Sequence, residues 1–355
     1  MATPVRYPSG VSVNPTRHVV STFPAVPAGN QTTKQSDFQP YISTEWDTAT
    51  GKSGSGTVAA QAWNAGAVKL STASVGSDVT PMILNAATAY QFIPGNQLWL
   101  DTRIAVPTAS NDANIYVGFT QANAFASATD GLYFIKPTGG STWNLVLRKG
   151  SSSTTITGIA DTSKPNGLPG TSSSAGSLTF NGTGTTFTTV AVNAPGSGYQ
   201  AAPLVIFGGT AGSGGQGYVQ LGSGSLYAPY ITAPGSGYTA GTLTAEIDPW
   251  INFQVYYDGK GTLYVGVNGR AVLSIGPGGS TSLSAGSTVA YSANASNYIS
   301  TATLTVGVAP VQPKTGDVYT LLPQVPLLCG YTINNTTTNA RSMYIDEFNA
   351  GTEQN

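Results

Sequence analysis

The chain has 355 residues, with 14 Lys and Arg against 15 Asp and Glu, and a formal net charge of −1 at neutral pH. Only 8% of the residues are charged, against about 25% in an average globular protein, so no basic field exists that would attract nucleic acid or anionic lipid. The sequence has no apolar run of about 18 residues, which excludes a membrane-spanning helix from the expected elements.

Residues 1–36 are predicted to form an extended N-terminal arm. The segment shows little periodicity and carries five prolines, which remove sheet hydrogen-bond donors. No basic patch followed by an apolar core begins the chain, so no signal peptide is predicted. Two interpretations of the arm stay open, a disordered tail and an arm that becomes ordered across a neighbouring subunit.

Residues 37–164 are predicted to form the first part of an all-β sandwich. Residues 97–106 alternate well, with Leu98, Leu100, Thr102 and Ile104 on one face of a strand. Further short runs rich in aromatic and β-branched residues follow, and no helical periodicity persists for ten residues. An all-β architecture is therefore expected.

Residues 165–248 are predicted to form an inserted Gly-rich β-repeat module. The hexapeptide Ala-Pro-Gly-Ser-Gly-Tyr occurs at 194–199 and again 39 residues later, at 233–238, each time between short apolar runs. Recurrence at a fixed interval indicates an internal repeat, whereas a flexible linker would lack the apolar runs. We expect Tyr199 and Tyr238 to occupy equivalent settings, and their place beside turns makes them candidates for exposed sugar-stacking rings.

Residues 249–355 are predicted to complete the sandwich, beginning with a three-stranded meander. Ile251 to Tyr257 alternate, a Gly-rich turn follows, and Asn268-Gly269 predicts a type I′ hairpin turn. A two-residue loop at that position pairs Val267 with Arg270, Val265 with Val272 and Tyr264 with Leu273.

The meander also carries a resemblance to a known fold. The pattern W-x-x-F-x-V-x-Y-D-G-x-G at 250–261, followed by V-N-G-R at 267–270, resembles the concanavalin A-like jelly-roll sandwich. More narrowly, it resembles the jelly-roll proteins of tailed-phage virions. The segments 1–11, 130–134 and 343–348 resemble those proteins in order and spacing, and together the matching pieces cover most of the chain outside about 165–248.

The resemblance raises a glycosidase question, because one branch of the fold contains glucanases with Glu-x-Asp-x-x-Glu on one strand. Glu246 and Asp248 match the first half of that pattern, but Ile251 stands where the third carboxylate is needed. The pair also falls in the predicted insert. We therefore predict that the protein is not an enzyme and has no catalytic residues.

Metal and cofactor sites are not predicted either. His18 is the single histidine, which excludes histidine-rich zinc sites and a Ser-His-Asp triad. Residues 111–114 and Asp130 form oxygen-rich loops that could hold calcium, although such residues are far more often turn formers. The single cysteine, Cys329, is expected to be a buried small hydrophobe, and Trp143 and Trp250 are expected in the core.

These observations, with the resemblance, lead to a structural function. The resemblance implies a capsid decoration, or cement, protein that is made in the host cytoplasm and carried on the virion surface. It would stabilise the capsid exterior by binding the major capsid protein through the arm and sheet edges, as a homo-oligomer for which a trimer is the expectation. The alternative is a glycan-binding module of a head or tail fibre, and a glycan is kept as a possible partner.

Overall fold

The computed structural model describes residues 30–38, 41–61, 66–84, 90–122, 125–169, 173–180, 185–208, 213–239, 243–275, 288–291, 302–306 and 321–354. Residues 1–29, with His18 and most of the predicted arm, lie outside the described residues. Within the described ranges the secondary structure is β, apart from two one-turn 3₁₀ helices at Ser43–Glu45 and Thr108–Ser110. No helix in this part of the chain is long and apolar enough to cross a membrane.

The strands before the inserted region are β1 (Asn30–Ser36), β2 (Trp46–Asp47), β3 (Thr57–Ala60), β4 (Val68–Ser71), β5 (Val79–Leu84), β6 (Asn96–Ala105), β7 (Ala113–Thr120), β8 (Gly131–Lys136), β9 (Thr142–Lys149) and β10 (Ser152–Asp161). The remaining strands are β11 (Ser177–Phe180), β12 (Val190–Ala194), β13 (Leu204–Gly208), β14 (Ser213–Gly222), β15 (Ser225–Ser236), β16 (Thr244–Asp248), β17 (Ile251–Tyr257), β18 (Leu263–Val267), β19 (Arg270–Ile275), β20 (Thr288–Tyr291), β21 (Ala302–Val306), β22 (Leu328–Asn335) and β23 (Ser342–Gln354).

Two antiparallel sheets form the main body. The first, called sheet A, has the order β19-β18-β17-β6-β23-β4-β3, with β1 also paired to β23. The second, called sheet B, has the order β2-β5-β22-β7-β8-β9-β10-β21-β20. Non-consecutive strands are neighbours in both sheets, which is typical of jelly-roll connections.

The sandwich core lies between the inner faces of the two sheets. Phe253 of sheet A stacks on Phe134 of sheet B with ring centroids 4.4 Å apart, and it contacts Trp143 at 4.8 Å. Thr102 of sheet A and Tyr331 of sheet B share a buried hydrogen bond of 2.6 Å. The predicted all-β sandwich is confirmed.

The strands from β11 to β16 form a small set of their own, called here the module. They pair as three two-stranded units, β11-β12, β13-β16 and β14-β15, and none joins sheet A or sheet B. Their apolar side chains form a separate cluster around Phe187 and Phe207. Leu204 instead packs beside Trp250 and Tyr344, on the outer side of sheet A. The inserted Gly-rich β module is thus part of the fold, while its exact boundaries stay a prediction.

Two predictions about strands need correction. The arm was expected to reach residue 36, but Asn30–Ser36 form β1, which pairs with β23. The turn at Asn268 and Gly269 has positive φ at both residues, as predicted. The register beyond it was wrong, because a bulge pairs Val265 with Leu273 and leaves Val272 as the extra residue. The bulge allows Val272 and Leu273 both to join the sandwich core, which a regular strand would forbid.

Candidate functional site

The outer face of sheet A carries a cluster of polar and aromatic side chains. On β6 the residues Leu98, Leu100 and Ile104 point into the core, so the alternate residues lie on the outer face. The neighbouring strands β17 and β23 are in register with β6 and contribute residues to the same rows. We call this set the outer-face cluster, and its members are Trp99, Asp101, Arg103, Asn252, Gln254 and Tyr256.

Register places the cluster in three rows across β17, β6 and β23. Tyr256, Trp99 and Gly351 are opposite one another in one row. The second row contains Gln254, Asp101 and Asn349. The third row contains Asn252, Arg103 and Glu347. An aromatic row thus borders two rows of amides, carboxylates and one guanidinium group.

Several polar atoms of the cluster are buried and make no hydrogen bond of ordinary length and angle. The exposed fraction is 0% for Gln254, 6% for Asn252 and 7% for Asp101. In the described part of the chain, both amide atoms of Gln254, Oδ1 of Asn252 and Oδ1 of Asp101 make no hydrogen bond of ordinary geometry. A buried polar group left unpaired costs about 1–3 kcal/mol, so these atoms are candidates for hydrogen bonds to ordered water or a ligand.

Asp101 is the most perturbed acid of the cluster. Burial and the nearby Glu347 carboxylate raise the pKa of Asp101 to about 7. Hydrogen bonding from the side chains of Asn252 and Gln254 lowers that pKa in turn, although it does not offset burial. Near neutral pH the carboxyl group of Asp101 can therefore donate or accept a hydrogen bond.

The aromatic row is held in place by its neighbours. The indole ring of Trp99 lies over Gly351, where a larger residue would have no room, and Trp99 Nε1 donates to Asn349 Oδ1 at 3.4 Å. The hydroxyl of Tyr256 donates to Gln97 Oε1 at 3.2 Å. Burial is the main cause that raises the pKa of Tyr256 to about 12, so the phenol stays neutral.

Arg103 is charge-balanced within the site. A bulge in β23 between Ile345 and Glu347 inserts Asp346, and Arg103 forms a 3.0 Å salt bridge with it. The Arg103 guanidinium group also lies over the Trp250 ring, 5.0 Å from its centroid. The site therefore has no net positive field from Arg103 that would favour an anionic ligand.

A small cleft opens where the cluster meets the module. It is lined by Arg103, Pro165, Gln200, Ala201, Trp250, Asn252 and Asn268 and has a volume of ≈ 50 Å³. Asn268 fixes this corner, because its Oδ1 accepts from Asn252 N at 2.7 Å and its Nδ2 donates to Asn166 O at 2.6 Å. The cleft can hold a few waters or one small polar group, and it is far below the roughly 300 Å³ of a typical small-molecule pocket.

The residues at the positions of the glucanase pattern, Glu246, Asp248 and Ile251, do not form a set of carboxylates in the outer-face cluster. Asp248 is 1% exposed, and its Oδ1 accepts from Thr108 N at 3.1 Å and from Thr108 Oγ1 at 3.3 Å. Burial, with a smaller effect of Glu246, raises the pKa of Asp248 well above its usual range. Ile251 points into the sandwich core. Asp248 therefore serves the junction between module and sandwich, and Ile251 the sandwich core.

The two repeat tyrosines occupy equivalent settings, as predicted. The hydroxyl of Tyr199 accepts a hydrogen bond from Gly176 N at 2.9 Å, and that of Tyr238 accepts one from Gly215 N at 3.0 Å. In each case the glycine precedes the tyrosine by 23 residues. The prediction that these rings are exposed was wrong, since Tyr199 is 6% and Tyr238 3% exposed.

The loops considered for calcium are occupied by protein partners. Asp112 forms an ion pair with Arg341, and Asn114 Oδ1 accepts from Thr138 N at 2.9 Å. Asp130 Oδ1 accepts from Gly150 N at 2.9 Å. Among the described residues no group of three or more His, Cys, Asp or Glu side chains is arranged to hold a metal ion.

The core assignments of the remaining singled-out residues are confirmed. Cys329 is fully buried, and burial raises the pKa of its thiol. Trp143 is fully buried in the sandwich core. Trp250 is 6% exposed and packs at the junction with the module.

Sequence reasoning missed the outer-face cluster. In the sequence, polar residues occupy the outward-facing positions of two strongly alternating segments, residues 97–106 and 251–257. This pattern could have indicated a polar face on each strand. The sequence did not show that these two segments are adjacent strands, because about 150 residues lie between them.

No protein-family model and no curated protein sequence matches the chain. Among solved structures, an endo-1,3-beta-glucanase from Streptomyces sioyaensis is similar at 9% identity and a TM-score of 0.38, over 94% of this chain and 100% of that one. A protein of unknown function from Shewanella oneidensis MR-1 aligns at 10% identity and a TM-score of 0.37, over 91% of this chain and 86% of that one. The Lotus tetragonolobus seed lectin aligns at 9% identity and a TM-score of 0.29, over 85% of this chain and 93% of that one. At these TM-scores the similarities carry no functional argument.

Proposed function

We propose that the protein binds a glycan, without cleaving it, on the outer face of sheet A. The observation that carries this proposal is the set of buried, unpaired polar atoms of Asp101, Asn252 and Gln254 beside the rings of Trp99 and Tyr256. Sugar hydroxyls both donate and accept hydrogen bonds, so they match amide and carboxyl groups that lack partners. Aromatic rings can cover the apolar face of a sugar ring.

The substitution Gln254→Met tests this proposal. Methionine has nearly the same shape but removes the two unpaired amide atoms, so we expect the free energy of unfolding to rise by about 1–2 kcal/mol. Glycan binding on an array of neutral and acidic glycans should fall, because the fully buried Gln254 amide supports Asp101, whose carboxyl group can hydrogen-bond a sugar hydroxyl. A gain in stability together with a loss of binding is typical of a residue kept for function.

Thr332→Val is the matched control. Thr332 is also buried, 2% exposed, with an unpaired hydroxyl, but it lies on β22 of sheet B. This variant should gain stability without losing glycan binding. If Gln254→Met binds glycans as well as the wild type does, the outer-face cluster is not the binding site.

The non-catalytic part of the proposal has its own test. Incubation of the wild type with the bound polysaccharide is expected to release no reducing sugar. Release that is abolished by Glu347→Gln or Asp101→Asn would identify an enzyme instead.

We propose, as a second function, that the protein is carried on a tailed-phage virion as a capsid decoration protein. The support is the order of the phage-like segments along the sequence and the charge-poor composition, which gives little repulsion between closely packed copies. Its partner would be the major capsid protein, bound by trimers or other closed rings. Quantitative mass spectrometry of purified particles is the test. Hundreds of copies per particle are expected, and a handful of copies would favour a fibre.

A further inference from the structure

The module exposes a group of tyrosines on one hairpin. The β14-β15 hairpin presents Tyr218 at 44%, Tyr227 at 74% and Tyr230 at 42% exposure. Elsewhere in the described residues, the large apolar side chains with comparable exposure are Ile42 and Val75, which are not on this hairpin. Single exposed apolar residues are ordinary, whereas a group of three on one hairpin indicates a contact surface.

The three exposed tyrosines of this hairpin are called here the tyrosine platform. Tyr218 and Tyr230 are directly opposite each other across the hairpin, with ring centroids 5.0 Å apart and an angle of 23° between the rings. Tyr227 lies at a register shift between the two strands, next to Gly222, which leaves room for it. Cross-strand pairing explains two of the rings as sheet-stabilising neighbours, but it does not explain the exposed Tyr227.

The hairpin beneath the platform is firmly held. Val219 is 1% and Leu226 4% exposed, and both belong to the core of the module. The Phe207 ring fills the space where a side chain at Gly217 would stand. The platform is therefore formed before any ligand arrives, which reduces the entropy lost on binding.

The surroundings of the platform select for an uncharged partner. No Asp, Glu, Lys, Arg or His occurs between residues 165 and 245. The exposed neighbours Gln220 and Thr232 offer neutral hydrogen-bonding groups. A charged ligand would lose hydration here and gain no ion pair, whereas a sugar ring can place its apolar C–H face on the rings and its hydroxyls at the rim.

We propose that the tyrosine platform is a second carbohydrate site, specific for neutral glycans and independent of the outer-face cluster. The structure differs here from the sequence prediction, which assigned sugar stacking to Tyr199 and Tyr238. Two sites on one chain would strengthen attachment to a polymeric glycan when both are occupied.

Affinity gel electrophoresis tests this proposal with the full chain and three soluble neutral polysaccharides, dextran, mannan and a β-1,3-glucan. Polygalacturonate serves as the anionic comparison. We expect at least one neutral polysaccharide, and not polygalacturonate, to retard the wild type. The double substitution Tyr218→Ala with Tyr230→Ala should weaken the retardation roughly tenfold.

Matched variants separate the loss of the aromatic rings from the loss of the hydroxyl groups and from unfolding of the module. Tyr218→Phe with Tyr230→Phe retains both rings and should bind within about threefold of the wild type. If the double alanine variant loses the module's fold by hydrogen exchange, Tyr227→Ala replaces it, because Tyr227 is the most exposed of the three rings. Binding should be weakened in this variant as well.

Three results would overturn the proposal. They are retardation by none of the neutral polysaccharides, unchanged binding by the alanine variants, and a wild-type dimer in sedimentation that the alanine variants abolish. The last result would assign the platform to a second copy of the chain. Gln254→Met changes the outer-face cluster alone, and the tyrosine variants change the platform alone. An unchanged glycan affinity in one set of variants therefore contradicts only the site that those variants alter.

Discussion

The sandwich and the module differ in the number of charged side chains that they contain and bury. The sandwich buries Lys136 completely, with its Nζ donating to the carbonyl oxygens of Asn111, Ala113 and Gly140 at 2.9, 3.3 and 3.1 Å. It also buries Asp101 and Asp346, the latter paired with the partly exposed Arg103. The module, by contrast, contains no charged residue from 165 to 245.

The module is instead held by aromatic contacts. Phe187 lies 4.6 Å from Phe180, 5.0 Å from Phe207 and 4.8 Å from Tyr238, measured between ring centroids. An isolated two-stranded unit is marginally stable at best, so these rings join three weak units into one. A large core can offset the desolvation of buried charge, and a small core cannot.

Two phenylalanine substitutions should have the largest effects and should separate the regions. Phe253→Ala removes a ring from the sandwich core and should lower its free energy of unfolding by about 4 kcal/mol. Phe187→Ala should abolish hydrogen-exchange protection in the module while leaving the sandwich's urea midpoint nearly unchanged. Urea denaturation combined with hydrogen exchange measures both. Equal loss of protection in both regions would show that they unfold as one unit.

Stability should depend on pH in the sandwich. The pKa of Asp101 is about 7 against a usual 3.8. Between these values the folded state holds a proton that the unfolded chain has lost, so stability falls as pH rises and levels off above about pH 7. The fall due to Asp101 is at most ~4 kcal/mol, at about 1.4 kcal/mol per pH unit.

Asp101→Asn should flatten this profile, measured as Tm from about pH 4 to pH 8. Some slope should remain, because the pKa of Asp248 is also raised. Protection of the module strands β11 to β15, which carry no charged residue, should change little over the same range. A variant with the wild-type profile would contradict the assignment to Asp101.

Removing the module should be tolerated. The cut is best placed at 173–245, because Leu168 belongs to the sandwich core and Asp248 is bound by Thr108. With a short Gly/Ser replacement the sandwich should stay folded and lose about 2 kcal/mol, from exposing the apolar surface that Leu204 covers beside Trp250 and Tyr344. Calorimetry measures the loss. An unfolded product would show that the module is an integral part of the sandwich.

The substitutions with the smallest expected effect on stability test the equivalence of the two repeat tyrosines. Tyr199→Phe and Tyr238→Phe each leave one backbone N–H without its acceptor, at Gly176 and Gly215 respectively. Each should cost about 1 kcal/mol in module stability, measured by hydrogen exchange. Clearly unequal losses would mean that the two settings are alike in geometry but not in energy.

The positions of strands could be predicted from local sequence patterns, whereas the register between strands could be predicted only in part. The alternation at 251–257 and the Asn268-Gly269 turn predicted two strands and a type I′ turn that the structure contains. The bulge at Val272 was not visible, because its cause is the room for both Val272 and Leu273 in the core. Burial of Tyr199 and Tyr238 was missed because the rings turn back onto glycines 23 residues earlier.

The sequence alone determined the all-β class, the meander, the repeat and the scarcity of charge in the inserted region, since these follow from side-chain periodicity, turn chemistry and composition. Only the tertiary structure decided the candidate site. Asp101 and Gln254 become neighbours when β6 and β17 pair across the inserted module. The raised pKa of Asp101 arises from the burial that this pairing creates, and burial depends on contacts between residues distant in the chain.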